Sequence, residues 1–402
     1  MKKQTTFVLM VAVLLFSCKK GSDVQVTDAE PEASNKKTTA IASIDASATQ
    51  QTVQGFGGAS IPIWIGDLTS AQREKAFSAT NGIGLSILRV MVPSSSSQFA
   101  AEKATIDAAK GYGAKVIATA WNAPASMMDG LKLKTSSYAA YAAHLSSYNS
   151  AVGGVYAISP WNEPNYSASG WMGATATEVA NFVAAQGSNC GAPIMAPEPL
   201  DMSQSFINTY LSNATAKSKT AFIAGHIYGS NPYNLGNIGK SVWQTEHYTN
   251  SQISGNDWGN AMTAAKEIHD CMTAGWAAYV WWYIRRSYGP IDESSNITKL
   301  GYVMAQFAKF VRPGSSKISC TSNPSPGVYV TAYKNGSKIS IVIVNQNNAT
   351  TYQTFSISGA TVTGFNRYFT TSGANLSSNT LSVSNSFGIN LAPSSVTTLV
   401  SQ

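Results

Sequence analysis

Two glutamates stand where chemistry is most readily built. Glu163 lies in SPWNEPNY and Glu246 in VWQTEHY, each just after a short apolar run rich in β-branched and aromatic residues. A pair of carboxylates across one cleft, one protonated and one ionised, is the apparatus of glycoside hydrolysis. A separation of about 5–5.5 Å lets the second act as a nucleophile with retention of configuration. Repulsion between two such groups keeps one proton on the pair. The chain has only 20 acidic residues, and two set among Trp, Asn, Pro, His and Tyr are not decorating a solvated face. Arg89, ending another apolar run, is placed to orient Glu246 and hold it ionised. Trp64, Trp121, Trp171 and Trp258 are candidate platforms for the C–H faces of sugar rings, and Tyr248 stands two residues beyond Glu246. His226 and His247 flank the site as polar lining. Among only four histidines no metal cluster, phosphate loop or Ser/His/Asp set emerges, so no metal and no cofactor is expected.

The elements that must hold these residues are short β-rich runs alternating with helical patterns. Eight runs are legible: 52–59, 85–92, 115–120, 155–159, 193–196, 221–227, 241–244 and 277–282. Helix-like stretches begin near Ala71, Ala104, Ser137, Ala176 and Trp258. Repeated strand-then-helix units predict an α/β fold, a (β/α)8 TIM barrel over 51–312, with both glutamates at the C-terminal strand ends where that fold places its sites. The alternative, an open doubly wound sheet, lacks a glycine fingerprint after its first strand. Beyond Pro313 the texture changes to alternating Thr/Ser/Val strands with Asn-Gly and Gly-Ser turns, which predicts a fused side β-sandwich over 313–402. Residues 40–50 alternate in the same way and are expected to join that sandwich from the other end of the chain.

The first 18 residues carry a basic start, an apolar run from Phe7 to Phe16 and the segment Leu15-Phe16-Ser17-Cys18. They read as a signal peptide with a lipobox, Cys18 being the lipidated residue, and ordinary secretion is the alternative. Residues 19–39 are polar, mixed in charge and aperiodic, as suits a flexible tether. The expected placement is therefore exported and anchored to a bacterial membrane by lipid alone. The net charge of +7 comes from scattered basic residues without a reading motif, which argues against nucleic acid. Cys190, Cys271 and Cys320 are an odd set with no metal spacing, so they read as buried thiols or one disulfide with a thiol left over. A monomer is expected.

The motifs together resemble glycoside hydrolase family 30, in the clan of retaining (β/α)8 glycosidases. The residues carrying the resemblance are GFGGAS from Gly55, WIGDLTSAQREKAFS from Trp64, LSILRVMV from Leu85, WNEP, GHIYG from Gly225, and above all YVWWYIRRSYGPIDESSNITKLGYVMAQFAKFVRPG from Tyr279. That last tract is similar to the bacterial glucuronoxylanase branch. The resemblance implies Glu163 as acid/base, Asn162 as donor to the sugar 2-hydroxyl, Glu246 as nucleophile and Tyr228 as its hydrogen-bond partner. It also implies that Arg286 reads a glucuronate side group of xylan, with Tyr283, Tyr288 and Trp282 as companions. Strand alternation would turn the neighbouring Arg285 elsewhere, into a structural role. Asn165 stands where the family usually has an acid, and Leu300 where it often has Arg. The implied activity is endo-cleavage of (4-O-methyl)glucuronoxylan. Two readings compete: another specificity of the family (xylanase without uronate requirement, β-1,6-glucanase or glucosidase type), and a non-catalytic xylan-binding lipoprotein.

Overall fold

The computed structural model describes residues 40–402 apart from 167 and 169; the leader, Cys18 and the tether lie outside the described residues. All eight apolar runs become parallel strands: Gly55–Ala59, Ile87–Val92, Lys115–Ala120, Ala157–Ser159, Ile194–Pro197, Thr220–His226, Ser241–His247 and Ala278–Tyr283. They close a barrel in chain order, the eighth strand pairing with the first. Alternating side chains divide between two environments, as a period of two requires. Ile87, Ile117, Ala157, Met195, Phe222, Trp243 and Val280 fill the barrel interior. Leu88, Val90, Val116, Ala118, Ile158 and Ile223 face the surrounding helices in the larger core. The glycines of GFGGAS permit the tight first strand: a Cβ on Gly57 would stand 2.3 Å from the Ile87 carbonyl oxygen.

The strand–helix repeat has one departure. The stretch 227–240 between the sixth and seventh strands holds no helix, because Gly229, Pro232, Gly236 and Gly239 punctuate a segment without helical period. Between the fifth and sixth strands stand two helices that the apolar pattern did not reveal, Gln204–Leu211 and Ala214–Lys219. The helix after the fourth strand, Ala176–Gln186, starts at a capping box in which Thr175 and Glu178 satisfy each other's backbone N–H groups.

Nine of the remaining strands form one sheet in which Ala42–Thr52, from before the barrel, lies between Ser316–Cys320 and Thr351–Ser358, and the other two, Met128–Asp129 and Lys132–Leu133, make a small hairpin after the third barrel strand. Its expected sandwich form arises by curling. Gly364–Thr370 and Ser386–Leu391 sit towards opposite ends of the strand order, yet Phe365 and Phe387 meet with ring centroids 5.4 Å apart. Ile44, Ile318, Val330, Ile341, Phe355 and Leu399 share the apolar interior so enclosed. Trp258, at the first position of the helix Trp258–Thr273, donates its indole N–H to the Ser394 carbonyl and hydroxyl at 3.0 and 2.9 Å. It thereby ties barrel to side sheet and is no sugar platform. The three cysteines are free thiols, Cys190 and Cys271 buried and Cys320 partly so.

Candidate active site

The strand ends converge on one buried charge cluster. Arg89 comes from the second strand, Asn162 and Glu163 follow the fourth, Glu198 follows the fifth, His226 ends the sixth and Glu246 lies in the seventh. The seventh strand runs further than its apolar pattern suggests. Its register breaks between Gln244 and Glu246 against the sixth strand and between Gln244 and His247 against the eighth, and such an irregularity re-aims a side chain beside a site.

Arg89, wholly buried, organises the cluster. Its guanidinium donates to Glu246 Oε2 at 2.6 Å, to Asn162 Oδ1 at 2.8 Å and to Glu198 Oε1 at 3.0 Å. One face lies over Trp121, 4.7 Å from the ring centroid. The Tyr228 hydroxyl donates to the other oxygen of Glu246 at 3.0 Å. Burial and the nearby Glu246 push that phenol well above its ordinary range, so it remains a donor. Because Asn162 gives its carbonyl oxygen to Arg89, its amide N–H2 is left as a donor for the cleft.

Glu163 contacts His226 Nδ1 through Oε1 at 2.8 Å. Burial works against a charge on His226, but Glu246, Glu163 and Glu198 around it prevail and raise it to about 9, so the imidazole is cationic at neutral pH. Glu198 was not singled out by the sequence reading. It is fully buried and accepts from Thr119 and Thr245 at 3.0 and 2.8 Å besides Arg89. Burial would raise its carboxyl, yet Arg89 and His226 hold it down at about 2. A signal existed: Pro197-Glu198-Pro199 also follows an apolar strand. Glu163 and Glu198 both have left-handed backbone, φ 47° and 57°. The Glu163 N–H donates to the Glu198 carbonyl at 3.0 Å, so each strained residue is held partly by the other.

Three carboxylates thus share space with two cations, and one proton on the carboxylates brings the cluster to neutrality. Glu163 and Glu246 approach each other with oxygens within 4.8 Å. Burial raises Glu246; His226 and Arg89 oppose this, and Glu163 adds to it. Hydrogen bonding distinguishes the two carboxyls. Both Glu246 oxygens accept from donors, whereas Glu163 Oε2 has no protein partner among the described residues, so the charged form is better supported at Glu246. Glu163, His226 and Glu246 have a spacing that a metal ion could span. The Arg89 guanidinium, however, already occupies Glu246 and adds a positive charge at that place.

An open cleft above the pair is lined by Trp64, Trp121, Trp171, Tyr228, Tyr248 and Trp282. Trp64 stacks on Trp171 with centroids 5.6 Å apart and meets Trp121 edge-on at 5.4 Å. His247 is held by Glu267 at 2.8 Å, with its ring 4.9 Å from Tyr228. After the eighth strand the chain leaves the sheet at Ile284, so alternation does not govern the arginine pair. Arg285 turns back to the carbonyls of Ile65 and Gly66. Arg286 is half-buried with its guanidinium 5.4 Å from the Tyr283 ring centroid. It meets no carboxylate among the described residues. Tyr288 lies beside Tyr248 at 5.5 Å, which joins this corner to the cleft.

Comparison with known proteins adds a family context. The chain is 37% identical to glucuronoxylanase XynC of Bacillus subtilis (strain 168), over 99% of this chain and 98% of that protein. Among solved structures it is similar to a family 30 endoxylanase from Clostridium papyrosolvens C71, with TM-score 0.84 and 30% identity over 90% of this chain and all of that one. It also resembles the family 30 subfamily 8 xylanase Xyn30A from Clostridium acetobutylicum, with TM-score 0.83 and 32% identity over 90% of this chain and 99% of that one. No protein-family model matches.

Proposed function

The chain belongs to glycoside hydrolase family 30, and from that premise we propose that it is an endo-acting, retaining glucuronoxylanase. The observation that carries the reading is the carboxylate pair, within 4.8 Å at the ends of strands four and seven, with one member ionised by Arg89 and Tyr228. Glu163 gives its proton to the glycosidic oxygen as the bond breaks. Glu246 attacks the anomeric carbon, forming a glycosyl ester and neutralising its own charge. Glu163, now ionised, takes a proton from water, which attacks the ester and releases the sugar with its original configuration. Asn162 donates to the 2-hydroxyl of the sugar so held, and no cofactor takes part.

Arg286 reads the glucuronate. A half-buried guanidinium that meets no carboxylate among the described residues, backed by the Tyr283 ring and bordered by Tyr288 and Trp282, presents a fork matched to a carboxylate ligand. The test is digestion of 4-O-methylglucuronoxylan beside unsubstituted xylan and arabinoxylan, products weighed by mass spectrometry, for wild type and Arg286→Ala. Wild type should release chiefly oligomers bearing one uronate, and Arg286→Ala should lose that preference. If wild type cuts all three alike, Arg286 does not read the side group. Glu163→Gln should lower polymer cleavage by about 10²–10⁴-fold while sparing binding; normal cleavage by that variant would refute the acid assignment. The proposal includes export as a monomer anchored through acylated Cys18, for which release of Cys18→Ala from the membrane fraction is the check.

A further inference from the structure

We propose that Glu267, which stands outside the reacting cluster, is a positioning residue for the nucleophile. It acts through His247 to fix the Tyr228 ring, whose hydroxyl orients Glu246, and the inference rests on the reading of Glu246 as nucleophile.

The need for such support lies in where Tyr228 comes from. It sits in the stretch 227–240 that holds no helix, so the ring has no regular element of its own behind it. Its backbone N–H donates to the Leu200 carbonyl at 3.1 Å, which sets the chain but leaves the side-chain torsions to packing. Three rings supply that packing: His226 at 6.0 Å, His247 at 4.9 Å and Tyr248 at 5.2 Å between centroids. His247 is the nearest of the three and is tied to a helix. Its Nδ1 lies 2.8 Å from Oε1 of Glu267, which the helix Trp258–Thr273 carries.

Glu267 is fixed in turn from the barrel wall. The Tyr279 hydroxyl, from the eighth strand, donates to the same Oε1 at 2.5 Å. Burial and the adjacent Glu267 push that phenol well above its ordinary range, so it remains a donor. A carboxylate facing Nδ1 places a proton on that nitrogen and sets the plane of the imidazole. The Glu267 side chain is only 14% exposed, and an apolar residue would fill its place without the cost of burying a carboxylate. What the carboxylate adds is orientation. Helix, imidazole, phenol and nucleophile form one chain of contacts, ending where the Tyr228 hydroxyl meets Glu246 Oε1 at 3.0 Å.

The experiment is a double-mutant cycle read in kcat and KM on glucuronoxylan. Glu267→Ala and His247→Ala are each made in wild type and in the Tyr228→Phe background, and melting curves verify folding. His247→Ala leaves the bond between Tyr279 and Glu267 in place, so it carries the test even if Glu267→Ala does not fold. Each should lower kcat about fivefold with KM within about twofold, and should cost less than about 1.5-fold in the Tyr228→Phe background. The same proportional loss in both backgrounds, or no loss in either, overturns the proposal, since a purely structural role would not depend on the Tyr228 hydroxyl. A Tyr228→Phe variant with unchanged kcat overturns it as well. Glu246→Gln separates the two claims. If it cleaves normally, the nucleophile reading fails whatever the cycle shows; if it loses cleavage, the cycle alone decides the role of Glu267.

Discussion

Glu198→Gln is the most informative perturbation, because it removes one charge from the cluster while keeping shape and hydrogen-bonding capacity. The wild-type cluster sets three carboxyl groups against the Arg89 and His226 cations; without the Glu198 charge it is more positive, and the Glu246 carboxyl, which burial and Glu163 raise, ionises at lower pH. Glu198 and Glu246 lie on either side of the Arg89 guanidinium, at 3.0 and 2.6 Å from it. That places the two carboxylates roughly 6 Å apart, a coupling of about 2–3 kcal/mol at an effective dielectric near 20. His226 owes part of its elevation to Glu198 and yields some of its own charge, so the expected shift is about one to two pH units. In a profile of kcat/KM on glucuronoxylan, the acidic limb of Glu198→Gln, set by ionisation of Glu246, should move down by that amount. An unmoved acidic limb in a folded variant would refute the charge accounting and leave Glu198 a purely structural role.

The same substitution makes a stability prediction with a defined sign. The carboxyl of Glu198 is depressed from 4.5 to about 2 in the fold. Its contribution is therefore present above pH 4.5 and is lost as pH falls through about 2, amounting to about 3 kcal/mol. Melting curves of wild type and Glu198→Gln should be well separated at pH 7 and converge towards pH 2.

Other expectations follow from single contacts. Tyr228→Phe removes one of two donors to the nucleophile and should lower kcat about tenfold, the worth of a hydrogen bond to a charged group, with little change in KM; a change confined to KM would argue against a role in orienting Glu246. Glu102 is buried beside Ile61, Met91 and Tyr148, and burial pushes its carboxyl well above the usual range. Its stabilising effect is complete below pH 4.5 and is lost as pH rises towards the folded value, so Glu102→Gln should melt higher than wild type at pH 8 and lose that advantage at pH 4, by about 1.4 kcal/mol per unit of displacement. Trp258→Ala should lower stability by about 2–3 kcal/mol by cutting the tie to Ser394, with cleavage at 25 °C retained; lost polymer cleavage in a folded variant would return Trp258 to the cleft.

What the sequence made legible depended on how local each signal was. The eight barrel strands were visible because a buried parallel strand is a short apolar run whatever surrounds it, and Glu163 and Glu246 because each ends such a run among aromatic and amide neighbours. Glu198 ends a run as well, but its importance comes from Thr119, Thr245, Arg89 and His226, which are distant in sequence and meet only once the barrel closes. Tryptophans show the same divide from the other side. Composition gives Trp258 and Trp64 equal claims, and only the fold separates an indole that seals a side domain from one stacked against Trp171 above the reacting pair. Arg285 and Arg286 carry the point furthest. The reading from alternation fails because the strand has ended by Ile284, yet the two guanidiniums still part company, one satisfied by the Ile65 and Gly66 carbonyls and one without an acceptor among the described residues. No local pattern of residues encodes that difference: it depends on which described residues, distant in sequence, reach each guanidinium once the barrel closes.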